Sequence, residues 1–265
     1  MLALYQYFGY DIPLKDRFKM IKSAGFDAVG VWCDDWFGWS GHREFPRLAR
    51  DVGLLVFDGH APFSREYDFV NSIWNDNLDG EMTLEIYLRT IEECGEDSVK
   101  NLVVHVVERD VPPPNELGIK RIKRMADLAE RKNVRLAFEN TFQHTYLGYI
   151  FDRVDSPAVG FCYDAGHRHA GAQDVDMLSL YGNRLFALHL HDNDGNHDQH
   201  LIPFAAGIDW SQQMSAIAAT GYDGPTTLEC TAGGPGSTVP NSSRTAEQWL
   251  SDAFDAAQRL DKLRV

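Results

Sequence analysis

The sequence predicts an α/β fold, a single (β/α)8 barrel forming one domain over residues 1–265, and three observations carry that reading. Eight short apolar runs recur along the chain, each four to seven residues long and rich in Val, Leu, Phe or Tyr. None alternates strictly with polar residues, as a half-exposed antiparallel strand would, so they suit parallel strands covered on both faces. Amphipathic stretches separate the runs, and eight such pairs in 265 residues are what the barrel requires.

The first strand is read over Leu2–Phe8 and the helix after it over Leu14–Ala24, with Gly25 standing where a C-terminal cap would sit. Ala28–Cys33 and His42–Val52 make the second pair, Leu54–Phe57 and Met82–Cys94 the third, and Leu102–Val107 and Glu116–Lys132 the fourth. Val134–Glu139 leads to His144–Asp155, and Ala158–Tyr163 to Val175–Tyr181. Leu185–Leu190 precedes Trp210–Ala219, which Gly221 follows, and Pro225–Cys230 precedes Thr245–Leu263. A doubly wound sheet would stop at five or six strands and would want a glycine-rich turn after the first. Gly9-Tyr10-Asp11 stands there instead, and no linker, repeat or low-complexity segment divides the chain.

Composition narrows the class. Hydrophobic residues at 44% and charged residues at 24% are globular values, which exclude a disordered, collagen-like or coiled-coil chain. The net charge of −14 speaks against a generally basic binder of nucleic acid or membrane surfaces. No apolar run reaches the roughly 18 residues of a membrane span. With no basic residue before Lys15, the N-terminus does not read as a signal peptide, so a cytoplasmic protein is expected. Cys33, Cys94, Cys162 and Cys230 are widely spread, form no CxxC, and read as small buried hydrophobes.

In such barrels chemistry sits at the C-terminal ends of the strands. The third strand runs into Asp58-Gly59-His60-Ala61-Pro62, the fourth carries His105, and the fifth ends in Glu139-Asn140. The sixth ends in Asp164-Ala165-Gly166-His167, the seventh in His189-Leu190-His191-Asp192, and the eighth in Glu229. A solitary histidine at a strand end is ordinarily a hydrogen-bonded polar residue. Six strands in succession, each delivering His, Asp or Glu to one rim, are harder to dismiss, because converging buried charges are costly without partners. Divalent cations satisfy them, and this nitrogen and oxygen donor set suits Zn2+ or Mn2+. The loop after the seventh strand adds Asp198 and His200, spaced as two ligands from one extended segment, though a solvated polar loop would read the same way. His42, His144 and His169 fall on helices or outer loops and take no role.

Together, HAP after the third strand, the fourth-strand histidine, EN, DxGH, HLHDNDG with DxH, and the eighth-strand Glu resemble the xylose isomerase-like TIM-barrel superfamily. That superfamily holds sugar and sugar-phosphate isomerases and epimerases together with endonuclease IV-type AP endonucleases. The resemblance implies that Glu139, Asp164, His189 and Glu229 ligate one divalent ion, with Glu139 and Glu229 also the catalytic acid/base pair. It implies that His167 contacts metal or substrate. His60, His105, Asp198 and His200 match the further ligands of a three-zinc cluster, leaving room for a second or third ion. His191 and Asp192 are read as residues that orient the ligands.

Two chemistries compete for such a site. An isomerase or epimerase moves a proton beside a carbonyl through an enediolate, whereas a phosphodiesterase needs Lys and Arg contacts to a nucleic-acid backbone. The acidic chain favours a small carbohydrate substrate over nucleic acid, and so do its few basic loop residues, Arg65, Arg109 and Arg168. Loop aromatics (Tyr7, Trp32, Trp36, Phe37, Trp39, Phe63 and Trp74) suit the C–H faces of a sugar, with core packing as the alternative. Trp32, Trp74, Arg168 and His167 are the expected substrate contacts. Val106-Val107 stands where the repair enzymes carry Pro-Gly, which weakens the nuclease alternative. A dehydratase acting on a polyol or keto acid would use the same residues. So would a site that only stores or senses metal, at the cost of idle glutamates. The glycine-rich run from Gly233 to Thr238 suits either a phosphate group on the substrate or a lid. A homo-oligomer is compatible with all of these.

Overall fold

A computed structural model describes residues 1–35, 41–63, 69–108, 112–233 and 242–264. Trp36, Phe37, Trp39, Arg65, Arg109 and the run 234–238 lie outside the described residues. Eight strands form one sheet: β1 (Leu2–Tyr5), β2 (Ala28–Trp32), β3 (Leu55–His60), β4 (Asn101–Val104), β5 (Arg135–Glu139), β6 (Val159–Asp164), β7 (Leu185–His189) and β8 (Thr226–Leu228). Neighbours pair in parallel in the order β7-β6-β5-β4-β3-β2-β1-β8. The two ends meet through a parallel bridge, Leu190 to Leu228, so the sheet closes on itself as a (β/α)8 barrel.

Around it lie α1 (Leu14–Ala24), α2 (Phe45–Asp51), α3 (Leu78–Glu96), α4 (Glu116–Lys132), α5 (Thr145–Phe151), α6 (Ala165–Gly171), α7 (Met177–Tyr181), α8 (Trp210–Ala219) and α9 (Ala246–Leu263). Their ends obey local chemistry. Asn77, Asn115, Asp176, Asp209 and Thr245 each accept the backbone N–H three residues on, and Gly25 and Asn133 close α1 and α4 in the left-handed region.

Strand alternation divides the interior into two layers. On β5, Leu136 and Phe138 join the large apolar layer beneath the helices, whereas Ala137 belongs to a small separate cluster with Val103, Cys162 and Ala187. Two residues after each of those four stand His105, just past the end of β4, and Glu139, Asp164 and His189 at the ends of β5, β6 and β7. A period of two therefore places the expected ligands directly above a plug of small residues.

Several boundaries differ from the sequence reading. β3 runs on through Asp58 and His60, and β4 stops at Val104, short of His105. The helix α6, unforeseen, begins immediately after Asp164, whose side chain caps it. Among the described residues no helix is long and apolar enough to cross a membrane. All four cysteines are free, and three of them are buried.

Candidate metal centre

The strand ends converge as the sequence implied. Glu139 is the hub, 3% exposed. Its carboxylate lies 3.0 Å from His105 Nε2, 3.7 Å from His60 Nε2, 3.1 Å from His167 Nδ1 and 3.1 Å from His189 Nδ1. Glu229 approaches the same His189 nitrogen from the eighth strand, at 3.2 Å. Among the described residues four donor groups result, each with atoms within 4.8 Å of one another: His60, His105 and Glu139; Glu139, Asp164, His189 and Glu229; Glu139, Cys162 and His189; and His167, His191, Asp198 and His200. All nine positions expected as ligands are in these groups, joined by His191 and Cys162.

Backbone and neighbouring groups aim these side chains. Asp164 divides its work: one oxygen accepts the His167 N–H at 2.6 Å as the cap of α6, while the other has no hydrogen-bond partner. Asn140 holds its backbone reciprocally, donating to Asp164 O and accepting from Asp164 N, each at 2.8 Å. His105 Nδ1 is held by Glu108 at 2.7 Å, and His60 Nδ1 by the Ala61 carbonyl at 2.8 Å. Each ring is thereby pinned by one nitrogen with the other turned inward, the usual arrangement behind a metal-binding histidine. His200 adopts φ 50°, a left-handed backbone that lays Nδ1 2.6 Å from the Glu229 carbonyl and Nε2 3.2 Å from Asp198.

The electrostatics follow from crowding opposite charges out of water. Burial works to raise the Glu229 carboxyl, but His189 beside it outweighs this and holds it at about 2. Glu139 is likewise lowered well below the ordinary carboxylate range, against burial, by His189 and His105. Burial works to lower His105 and His200. Glu139 and Glu108 overcome it in the first and Asp198 in the second, raising both to about 10. The cluster thus balances its carboxylates with imidazolium protons, the charge that divalent ions would replace. Both Glu139 oxygens, Asp164 Oδ2 and His189 Nδ1 are buried without a well-aligned hydrogen bond. Such groups are costly unless satisfied, and their all-oxygen and nitrogen character fits a divalent ion.

Other expected contacts land elsewhere. Trp32, half-buried, does stand at the mouth, its ring 4.4 Å from that of His60. Trp74 does not: it is 2% exposed, donates its indole N–H to the Val106 carbonyl at 2.6 Å, and packs on Tyr146. It lies in the short 3-10 turn Val70–Trp74, buried throughout, whose composition is that of a loop. Arg168 spends its guanidinium on the carbonyls of Gln173 and Val175, bracing the segment before α7. Asp192 turns away from the ligands and accepts from the backbone N–H groups of Asn193, Ala206 and Ile208 and from the Trp210 indole, so it organises the loop after β7. Two polar residues of the centre, Tyr5 and Glu108, escaped the sequence reading, and Asp58 was placed at the rim without a role. Only Glu108 had a signal, at three residues from His105.

The xylose isomerase-like TIM barrel family matches residues 18–259. The uncharacterized protein y4fM of Sinorhizobium fredii is 27% identical, over 83% of this chain and 82% of its own length. A 3-dehydroshikimate dehydratase of Pseudomonas putida is 23% identical over 82% of this chain, the match spanning only 36% of that longer protein. Among solved structures, the D-psicose 3-epimerase of Clostridium cellulolyticum H10, determined with D-tagatose, aligns with a TM-score of 0.78. It covers 100% of this chain and 99% of its own at 17% identity, a likeness of fold. With the family matching nearly the whole barrel, the chain belongs to the xylose isomerase-like TIM barrel family.

Proposed function

We propose that this protein is a metal-dependent sugar isomerase or epimerase that moves a proton beside a carbonyl through an enediolate. One observation carries the reading: Glu139 at the end of β5 and Glu229 just past β8 face the same His189 nitrogen at 3.1 and 3.2 Å in a buried site. Two carboxylates converging on one candidate metal ligand support an acid/base pair acting beside a metal-held carbonyl. Family membership and the epimerase likeness support it.

Glu139, Asp164, His189 and Glu229 would hold the principal ion, Zn2+ or Mn2+. When bound, a divalent ion polarises a substrate carbonyl and offsets the charge that develops on its oxygen. The glutamates, kept ionised by the positive charge beside them, take and return the proton. His167, 3.1 Å from Glu139 and 3.4 Å from Asp198, is placed to hydrogen-bond a hydroxyl, and Trp32 offers an aromatic wall for a sugar's C–H face.

A second reading, an endonuclease IV-type phosphodiesterase, is favoured by the two further donor groups at His60–His105 and at His167–Asp198–His200. Against it, the guanidinium of Arg168 is already engaged with backbone carbonyls. Incubation with ketoses, free and phosphorylated, in deuterated water should place deuterium on the carbon beside the carbonyl. Glu139→Gln and Glu229→Gln should cut that exchange by about 10²–10⁴-fold. Asp164→Asn should recover part of it in excess metal. Exchange with loss of water would identify a dehydratase instead. Abasic-duplex cleavage that falls steeply with salt, with no deuterium uptake by any sugar, would refute the isomerase reading.

A further inference from the structure

His189 has two ring nitrogens, and the chemistry above uses one. Nδ1 faces the glutamates, while Nε2 points into the barrel and lies 2.9 Å from the Tyr5 hydroxyl. Tyr5 ends β1, is 1% exposed, and meets His189 edge-on, with ring centres 4.9 Å apart and planes at 87°. Beyond the hydroxyl is Asp58, a fully buried carboxyl on β3. Gly30, on the strand between them, makes this approach feasible. A Cβ there would stand 2.6 Å from Asp58 Oδ1 and 2.7 Å from Tyr5 Cε2, closer than real contacts allow. Three neighbouring strands therefore pack a hydroxyl and a carboxyl beneath the site, beside a plug of Val103, Ala137, Cys162 and Ala187 whose one polar group is the Cys162 thiol, a weak hydrogen-bonding partner that also lies against His189.

We propose that Tyr5 is a positioning residue for the metal centre: its hydroxyl accepts the Nε2 proton of His189, fixing the tautomer that presents Nδ1 to a divalent ion. The Asp58 carboxyl, whose oxygens have no aligned hydrogen bond among the described residues, is the group toward which the hydroxyl's own proton would then turn. This rests on the metal-dependent reading above, but not on which sugar or reaction the site serves. A neutral imidazole carries one proton, and the nitrogen without it is the one that ligates. With nothing to accept from Nε2, a buried N–H would be left unpaired, and the ring would gain by placing its proton on Nδ1 toward the glutamates. The tyrosine hydroxyl removes that option. It does so from a strand whose backbone is locked by pairing with both β2 and β8. The ring of Tyr5 also packs on Trp32 at 5.6 Å, so its role as a core aromatic must be separated from the role of its hydroxyl.

Tyr5→Phe makes that separation, since the ring stays and only the hydroxyl goes. Full-length protein stripped with a chelator would be titrated with Zn2+ and with Co2+, following heat and the visible Co2+ spectrum. Loss of a hydrogen-bonding partner behind a ligating histidine should weaken the first ion by about 10–100-fold and shift the Co2+ bands. Asp58→Asn, which keeps Tyr5 and its ring, should shift affinity in the same direction by less. A purely structural role would lower thermal stability while leaving affinity and spectrum as in the wild type, and that result for Tyr5→Phe would overturn the proposal. Should Tyr5→Phe not fold, wild-type affinity and spectrum in Asp58→Asn would overturn the chain of hydrogen bonds. Wild-type protein that binds no divalent ion at all would remove the metal reading, and this inference with it.

Discussion

Gly166, the glycine of the DxGH sequence, tests the packing of the centre most sharply. It has no positive φ, so its backbone does not call for glycine, and it sits in the first turn of α6. What excludes a side chain is His191. A Cβ built on Gly166 would lie 1.9 Å from His191 Cε1 and 2.3 Å from Nδ1. Carbon atoms rest about 3.5–4.0 Å apart, so the ring would have to retreat by about 2 Å. Its space is taken: His200 stacks on it at 3.8 Å and 11°, and its Nε2 is 3.2 Å from Asp164 Oδ1. Overpacking of this kind costs about 1–3 kcal/mol, or roughly 2–12 °C in midpoint at about 2–4 °C per kcal/mol. In a helix without that clash, Gly to Ala gains about 0.5–1 kcal/mol. The effect of Gly166→Ala should therefore change sign in a His191→Ala background, with a coupling of about 1.5–4 kcal/mol. The assay is a double-mutant cycle of denaturant unfolding, run with chelator so that ion binding does not contribute. A Gly166→Ala cost that persists undiminished without His191 would refute the steric account.

Trp74→Ala should cost about 3–5 kcal/mol of stability, as truncation of a buried aromatic does, while leaving KM for any substrate found unchanged; a raised KM with intact stability would return Trp74 to the binding surface. Metal-free protein should lose thermal stability as pH rises from about 6.5 towards 10. His105 and His200, raised to about 10 when folded, contribute stability that is complete below their unfolded value near 6.5 and gone above 10. Asp58 acts in the same direction at lower pH: burial raises its carboxyl to about 7, so stability falls as the unfolded carboxyl ionises between about 3.9 and 7. Ions that replace these protons should flatten the profile and bind more tightly as pH rises; a metal-free midpoint that is flat from pH 6.5 to 9 would contradict the charge balance described here.

The barrel and its rim were legible because both rest on patterns that burial enforces. Parallel strands between helices must be apolar along their length, so a His, Asp or Glu closing such a run stands out, as Glu139, Asp164, His189 and Glu229 do. The same logic misplaced Trp74. A buried turn and an exposed loop share their composition, and what distinguishes this one is the Val106 carbonyl that takes its indole proton. Arg168 failed likewise, since nothing local shows that its guanidinium is bound to carbonyls five and seven residues on.

Tyr5 and Asp58 were hidden for a different reason. Tyrosine is an ordinary strand residue, so within Leu2–Phe8 it reads as one more apolar position. Its polarity matters only because closure of the barrel brings β1 within reach of β7, 184 residues along the chain. Asp58 stands among the residues that the third strand runs into, but with that strand placed at Leu54–Phe57 it takes no role. Once the strand runs through His60, alternation places Asp58 on the same inward face two residues below the ligand. A ligand at a strand end reveals itself by the cost of burying it. The residue that aims the ligand is masked, since its own polar atom is satisfied by that same ligand. Sequence patterns of this kind therefore locate metal centres more readily than the hydrogen bonds behind them, and it is in those hydrogen bonds that members of one barrel family have room to differ.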